Sequence, residues 1–174
     1  MLMDFEIRCC SRTCAATSRT LQPGEVYFSV LDFVENDLLR RDYSVEAWQG
    51  PPEACVGWWR SRLPIKGDTQ PRLAPTDVML NLFESLENRP AEFEFRYLLG
   101  LLLVRRRTLR RDDHKYDDQG REVLILHCGR RDKDYDLVVA EPSADRALKL
   151  QQQMFDLLYG NADLQIPPAE GPQS

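Results

Sequence analysis

The sequence predicts an α+β fold, in which a β-hairpin-rich N-terminal unit packs on a C-terminal unit of three helices and a β-hairpin. Three observations carry this prediction. Apolar and polar residues alternate before residue 63, apolar residues recur every three or four positions after residue 76, and a proline-containing segment separates the two patterns. The chain has 174 residues, 43% of them hydrophobic, which suffices for one ordinary domain or two small ones.

The N-terminal unit, residues 1–63, shows the two-residue period of half-buried strands. Apolar residues alternate with their neighbours over 5–9 and again over 26–31. The dipeptide Pro23-Gly24, which predicts a turn, directly precedes the second stretch. Residues 38–43 can return antiparallel to the second of these strands, and a further strand is expected within 55–63.

A linker or surface loop at 64–75 precedes the C-terminal unit, 76–160, which reads as helix, helix, hairpin, helix. The apolar residues of the first helix form one stripe, and the second helix is apolar nearly all round, so we expect it to be central. The tail, 161–174, is expected to be flexible. The predicted elements are helices at 76–87 and 90–111, strands at 123–128 and 135–140, and a last helix opening at Pro142-Ser143.

Composition and charge exclude some classes of protein. The chain carries 23 Lys and Arg against 28 Asp and Glu, and this acidic balance argues against a dedicated, strongly basic nucleic-acid binder. The longest apolar run, Tyr97 to Val104, is far shorter than the roughly 20 residues that cross a bilayer. No secretory signal is recognisable, so we expect a cytoplasmic protein with reduced thiols and no membrane partner.

Three of the five cysteines, Cys9, Cys10 and Cys14, lie within six residues. Closely spaced thiolates are the ligands that tetrahedral zinc sites use, so Cys10 and Cys14 form one candidate pair of metal ligands. Cys55, or Cys128 together with His127, would have to complete such a site. The competing interpretation is that these cysteines are small, partly buried residues at a strand end. No cofactor is expected, but if a metal ion is bound at these cysteines, zinc is the candidate.

A second pair of positions suggests what the pattern resembles. After the Gly24-Glu25 hairpin, Ser44 and Ala47 stand just before Trp48, where bacterial zinc-ribbon-like segments carry Cys-x-x-Cys-Trp. Residues 5–50 therefore resemble a zinc ribbon that has lost half of its ligands. A second resemblance rests on the segments Arg-Arg-Asp-Tyr at 40–43, Gly-Trp-Trp-Arg-Ser-Arg at 57–62 and Phe-Arg-Tyr-Leu-Leu-Gly-Leu-Leu-Leu at 95–103. With them, most of the chain is similar to an uncharacterised bacterial family of the planctomycete type, and this resemblance implies no activity.

Trp58, Trp59 and Arg60 form the candidate interaction surface. Trp and Arg are enriched where proteins bind one another, and they also stack on nucleic-acid bases. The alternative is core packing, because adjacent strand residues point to opposite faces. An uncovered side of the central helix is a second candidate surface.

The leading hypothesis is a non-enzymatic, cytoplasmic protein-interaction module, since no catalytic motif occurs. The second is nucleic-acid binding through the ribbon-like N-terminus and the run Arg105–Arg111, although a solvated helix end that pairs with the following acidic loop explains that run as well. The third is a metal- or thiol-dependent enzyme that uses Cys10 and Cys14. His127 and Cys128 are expected on opposite faces of a strand, unable to act as a base–nucleophile pair.

Overall fold

The structure is a computed structural model that describes residues 7–8, 12–67 and 73–158. These residues form seven β-strands, three α-helices and one short 3-10 helix, which confirms the α+β class. In the described ranges, no helix combines the length and the hydropathy that crossing a bilayer requires.

The described residues divide into two compact units. The first unit contains residues up to Pro75 together with 155–158, and the second contains 76–154. The division falls at the end of the segment 64–75, the expected linker. The last four described residues of the final helix group with the first unit, a long-range association that no local pattern indicates.

The first unit is built on a four-stranded sheet with the order β1-β3-β2-β4. β2 and β3 form an antiparallel hairpin, β4 pairs antiparallel with the other side of β2, and β1 pairs parallel with β3. The hairpin and the strand within 55–63 follow the sequence prediction. The strands are β1 (Ile7–Arg8), β2 (Val26–Val34), β3 (Asp37–Ser44) and β4 (Gly57–Arg62).

The sheet presents two chemically different faces. Phe28 lies between Tyr43 of β3 and Arg60 of β4 in the strand register, and this side is called the outer face. Ser29 lies between Asp42 and Trp59 on the opposite side, the inner face. Most inner-face residues are buried, whereas most outer-face residues are half-buried or exposed, with Val30 as the buried exception on the outer face. This difference follows from the strand period of two.

A buried ion pair lies on the inner face. Arg40 is 3% exposed, and its Nε donates to Asp42 Oδ1 at 3.1 Å. The Ser29 hydroxyl donates to the same carboxylate oxygen at 2.6 Å. Arg40 also donates to the backbone carbonyls of Asp156 and Leu157, both at 3.2 Å. The Asp42 carboxylate is therefore paired inside the sheet with an arginine two positions before it.

The second unit contains the helical elements. In α1, the predicted stripe Met79, Leu82 and Phe83 is fully buried. A 3-10 helix leads directly into α2, and the Ser143 hydroxyl accepts from the Arg146 backbone N–H at 3.3 Å at the start of α3. The elements are α1 (Thr76–Ser85), the 3-10 helix (Pro90–Glu92), α2 (Phe93–Arg105) and α3 (Ala144–Leu158).

Gly100 of α2 lies in close contact with neighbouring side chains. A Cβ atom at this position would lie 2.5 Å from Leu137 Cδ2 and 3.2 Å from Phe83 Cε2. Both of these neighbours are buried, so they have little room to move. The glycine therefore allows α2 to lie closer to Leu137 and Phe83 than any residue with a side chain would allow.

The second unit also contains a three-stranded antiparallel sheet with the order β5-β6-β7. The predicted hairpin corresponds to β6 and β7. The sequence interpretation of the acidic segment after Arg111 as a loop is wrong over residues 112–116, because these five residues belong to β5, which adds a third strand. The strands are β5 (Arg110–Tyr116), β6 (Glu122–Cys128) and β7 (Lys133–Val138).

The prediction that the second helix continues to Arg111 is also wrong. The helix ends at Arg105, because Arg107 adopts a left-handed backbone conformation with φ of 61°. The backbone N–H groups of Thr108 and Leu109 both donate to the Leu103 carbonyl, at 2.9 and 3.2 Å, and this closes the helix end. The chain then enters β5 at Arg110.

Candidate functional site

Aromatic side chains gather on the outer face of the first unit's sheet. Phe28 stacks on Trp48, with ring centroids 4.6 Å apart and planes only 5° apart. Trp58 is tilted against both, at 6.2 Å from Phe28 and 5.6 Å from Trp48. Tyr43 lies 5.9 Å from Trp48. We call these four side chains, Phe28, Tyr43, Trp48 and Trp58, the aromatic cluster.

Trp58 is the exposed member of this cluster, with 44% of the residue accessible to solvent. The other three members are half-buried and support it from one side. A tryptophan held in this way loses little conformational entropy when a partner covers it. The aromatic cluster therefore has the properties of a preorganised contact surface.

The predicted interaction surface of Trp58, Trp59 and Arg60 needs one correction. Trp58 and Arg60 are exposed, whereas Trp59 points to the inner face and is 6% exposed. There the guanidinium of Arg40 lies 5.3 Å from the centre of the Trp59 ring. Because successive strand residues face opposite sides, Trp59 packs in the interior and does not belong to the surface.

Arginines border the aromatic cluster. Arg60 and Arg62 are exposed on β4, and within the described ranges neither forms an ion pair or a side-chain hydrogen bond. Arg41 of β3 differs, because its guanidinium lies 3.4 Å from the Asp32 carboxylate. Among the described residues, no carboxylate neutralises these two positive charges on the strand that carries Trp58.

A concave pocket of about 260 Å³ lies next to the aromatic cluster. Its lining combines two cluster members with small and polar residues and includes no carboxylate, histidine or cysteine. Such a lining can accept a side chain or a short segment, but it offers no strong acid, base or nucleophile. The lining residues are Ala16, Tyr43, Ala47, Trp48, Gln49, Gly50 and Pro52.

Sequence reasoning singled out the tryptophans but missed Phe28 and Tyr43. Strand alternation alone does not identify them. Val26, Phe28 and Val30 share one face and are all apolar, so the sequence favours that face as the core side. In the structure Phe28 and Tyr43 instead lie half-buried on the outer face.

Cys14 lies in a small apolar cluster with Leu21, Tyr27 and Leu63, and it is completely buried. Ser44 donates to its Sγ atom through the backbone N–H at 3.5 Å and through the hydroxyl at 3.6 Å. Burial alone would raise the pKa of the Cys14 thiol. Hydrogen bonds from Thr17 and Ser44 stabilise the thiolate and together lower the pKa to about 6.

The positions that the zinc-ribbon resemblance singles out lie close together. Cys14 contacts Ser44, and Ala47 packs against the apolar cluster that contains Cys14. Only Cys14 supplies a thiolate at these positions, because Ala47 has no donor atom and serine is not an ordinary zinc ligand. Cys9 and Cys10 lie outside the described residues, so the structure does not test the predicted pairing of Cys10 with Cys14.

The remaining candidate ligands are Cys55 and Cys128. Cys55 is half-buried, and burial together with the nearby Asp32 carboxylate raises its pKa. Cys128 is buried, whereas His127 lies on the opposite face of β6, as expected. Within the described ranges, none of the three cysteines belongs to a group of at least three converging His, Cys, Asp or Glu ligand atoms.

One group of this kind does occur, on the polar face of the second unit's sheet. It consists of Asp112, His127 and Asp134, whose ligand atoms lie within 4.8 Å of one another. Asp112 is the extra residue of a β-bulge and is paired with Arg110 at 2.8 Å. His127 Nδ1 lies 2.6 Å from Asp134 Oδ1. Both carboxylates thus already have a partner that can be positively charged.

The arginine run does not form a single surface on one helix. Arg105 ends α2, Arg106 and Arg107 form the turn, and Arg110 and Arg111 lie in β5. Arg110 is paired with Asp112, which agrees with the predicted pairing to the acidic residues that follow.

The central helix also has an uncovered position. Leu101 of α2 is 39% exposed and borders a groove of about 360 Å³ between the helix and its own unit's sheet. Tyr97, Val104 and Leu137 also line the groove, and Glu122 and Glu141 contribute acidic groups to its wall. Arg111 and Tyr97 are the basic and aromatic residues of its lining, so the groove has no aromatic cluster like that on the outer face of the first unit.

Comparisons with protein-family models, curated proteins and solved structures find no match to this chain. The resemblance to a planctomycete-type bacterial family therefore stays a prediction.

Proposed function

We propose that this protein is a non-enzymatic interaction module that binds a partner protein through the outer face of the first unit. Trp58 and Arg60 are its main contacts, and a cytoplasmic location belongs to the same proposal. The observation that carries the proposal is the exposed Trp58 side chain, held in the aromatic cluster near two arginines that form no ion pair with any described residue. Tryptophan and arginine contribute most to binding energy when a partner removes them from water.

The size and lining of the neighbouring pocket favour a protein partner over a small substrate. Its volume of about 260 Å³ is below the roughly 300–1,000 Å³ of typical ligand sites. The one titratable side chain in its lining is the phenol of Tyr43, a weak acid, and the lining contains no base. We therefore infer that the pocket receives one side chain of the partner.

Site-specific photocrosslinking tests this proposal in the source cells or an equivalent host. A benzophenone amino acid at Gln49, on the rim of the pocket, should give a discrete crosslinked protein. Trp58→Ala should abolish that product, because it removes the central contact. Tyr116→Ala is the matched control, since Tyr116 is an exposed aromatic residue, 67% accessible, in the second unit.

The proposal would be wrong if Gln49 gave no crosslink to another protein, or if Trp58→Ala left the product at full yield. Loss of the product in both alanine variants would indicate a general effect on the protein and would also count against the outer face.

Nucleic-acid binding is the second candidate, because an aromatic sheet surface bordered by arginines can stack bases and contact phosphates. Against it, residues 12–67 contain seven basic and seven acidic side chains, so this part of the first unit has no net charge. A labelled single-stranded RNA that bound the wild type, but not Trp58→Ala, with strong salt dependence would favour this candidate.

A further inference from the structure

β4 is an edge strand of the first unit's sheet. Its only paired neighbour among the described strands is β2, in the order β1-β3-β2-β4. An edge strand carries a row of backbone N–H and C=O groups that its own sheet leaves unpaired, and such a row can pair with another extended chain.

The register identifies the residues that carry these groups. Leu63 N–H donates to the Glu25 carbonyl at 2.8 Å, in register with the β2–β4 ladder. In an antiparallel ladder every second residue bonds to the same neighbour, so Trp59 and Ser61 also bond to β2. Trp58, Arg60 and Arg62 therefore direct their backbone groups towards the open edge.

The same three residues present exposed side chains on the outer face. Trp58 offers an apolar surface. Arg60 and Arg62, which follow at steps of two residues, offer positive charges, and neither forms an ion pair with a described residue. An added strand would place its residues opposite these three, because cross-strand neighbours share a face.

We propose that the open edge of β4 binds an extended, acidic peptide segment, which adds to the sheet as a further strand. The inference rests on the proposed interaction function and names the class of partner. The segment has an apolar residue opposite Trp58, one acidic residue opposite Arg60 and a second opposite Arg62. Its sequence pattern is therefore apolar-x-acidic-x-acidic, or the reverse order if the strand runs the other way. Backbone hydrogen bonds supply affinity, and the alternating side chains supply selectivity.

The charges on the edge also select among possible occupants. Proteins place basic residues on edge strands to prevent pairing with further copies of themselves, since like charges opposite each other repel. Arg60 and Arg62 would repel the same edge of a second copy of this chain. An acidic strand meets no such repulsion and pairs with both charges.

A displayed library of random twelve-residue peptides, selected on the immobilised full-length protein, tests the inference. We expect enrichment of peptides with acidic residues two positions apart and an apolar residue two positions from them. A synthetic peptide from this selection is then N-methylated at one backbone position at a time. Blocked N–H groups that face β4 should weaken binding about 3- to 10-fold each, and the alternate positions should have little effect.

A pair of variants at one position tests the same edge from the protein side. Arg60→Ala removes the charge but keeps the backbone N–H, whereas Arg60→Pro removes both and breaks no bond to β2. Arg60→Pro should bind the selected peptide about 3- to 10-fold more weakly than Arg60→Ala. Tryptophan fluorescence before and after urea unfolding verifies that both variants are folded.

Strand addition is wrong if no acidic peptide is selected, if N-methylation shows no alternation, or if self-association through β4 is found instead. If the Gln49 crosslink persists and depends on Trp58 in that case, the proposed function stands and only this inference fails. If the crosslink is absent as well, both fail.

Discussion

Replacing Arg40 by methionine should destabilise the first unit by about 3–5 kcal/mol, the usual cost of removing one partner from a buried ion pair. The variant leaves the Asp42 carboxylate buried, with Ser29 as its remaining side-chain hydrogen-bond partner at 2.6 Å. It also removes the donors that reach the carbonyls of Asp156 and Leu157. Methionine conserves much of the apolar length of arginine, so lost packing contributes little.

Tryptophan fluorescence during urea unfolding measures this effect in the right part of the protein. The chain has 3 tryptophans, and all of them, Trp48, Trp58 and Trp59, belong to the first unit. With a urea dependence of about 1–3 kcal/mol per molar, the midpoint should fall by at least about 1 M, even for a loss of about 3 kcal/mol. Arg60→Met, which changes an exposed arginine on β4 of the same sheet, should change stability by less than about 0.5 kcal/mol.

A double variant separates the ion pair from other effects of the substitution. Arg40→Met combined with Asp42→Asn should cost less than the sum of the two single changes, because the second change removes the buried charge that the first leaves unpaired. The reasoning is refuted if Arg40→Met unfolds at the same urea concentration as Arg60→Met, or if the two losses at positions 40 and 42 simply add.

Two further predictions concern single groups. The pKa of Cys14 is near 6 in the folded protein and about 8.5 in an unfolded chain, so the unfolded state binds more protons between these values. Stability should therefore rise with pH across this window, by up to about 1.4 kcal/mol per unit, and be lost as pH falls through 6. Urea unfolding of Cys14→Ala between pH 5.5 and 9 should show a flatter profile; an unchanged profile would contradict the thiolate assignment. In the second unit, the Tyr135 hydroxyl donates to Glu84 at 2.6 Å, and Tyr135→Phe should cost about 1.5–3 kcal/mol, as for hydrogen bonds to charged groups. Thermal unfolding followed by far-ultraviolet circular dichroism measures that loss, and an unshifted melting temperature would mean that water replaces the bond.

The first unit's strands could be predicted because their side chains alternate along the chain. Val26 to Leu31 and Leu38 to Tyr43 carry that period, and their turn residues separate them clearly. The contact between Cys14 and Ser44 was not predicted: the zinc-ribbon resemblance only placed Ser44 at a ligand position, and the two residues are 30 positions apart. No local pattern reports a contact of that length.

β5 could not be predicted because its residues carry no apolar alternation. Every residue from Arg110 to Tyr116 is exposed, so the strand is held by backbone pairing with β6 and not by burial of its side chains. Arginine also favours helices locally, which made Arg105–Arg111 resemble a helix end. The left-handed turn at Arg107 depends on bonds to Leu103 and on a distant strand, neither of which a sequence window contains.

The close contact at Gly100 has a consequence for how this sequence can change. Any residue with a side chain at position 100 would collide with Leu137, and a smaller residue at 137 alone would leave a void beside α2. Each single change is therefore harmful, whereas a paired exchange of size between the two positions preserves the volume. The effect of a substitution at position 100 therefore depends on the residue at position 137, and the two positions are expected to change together during evolution.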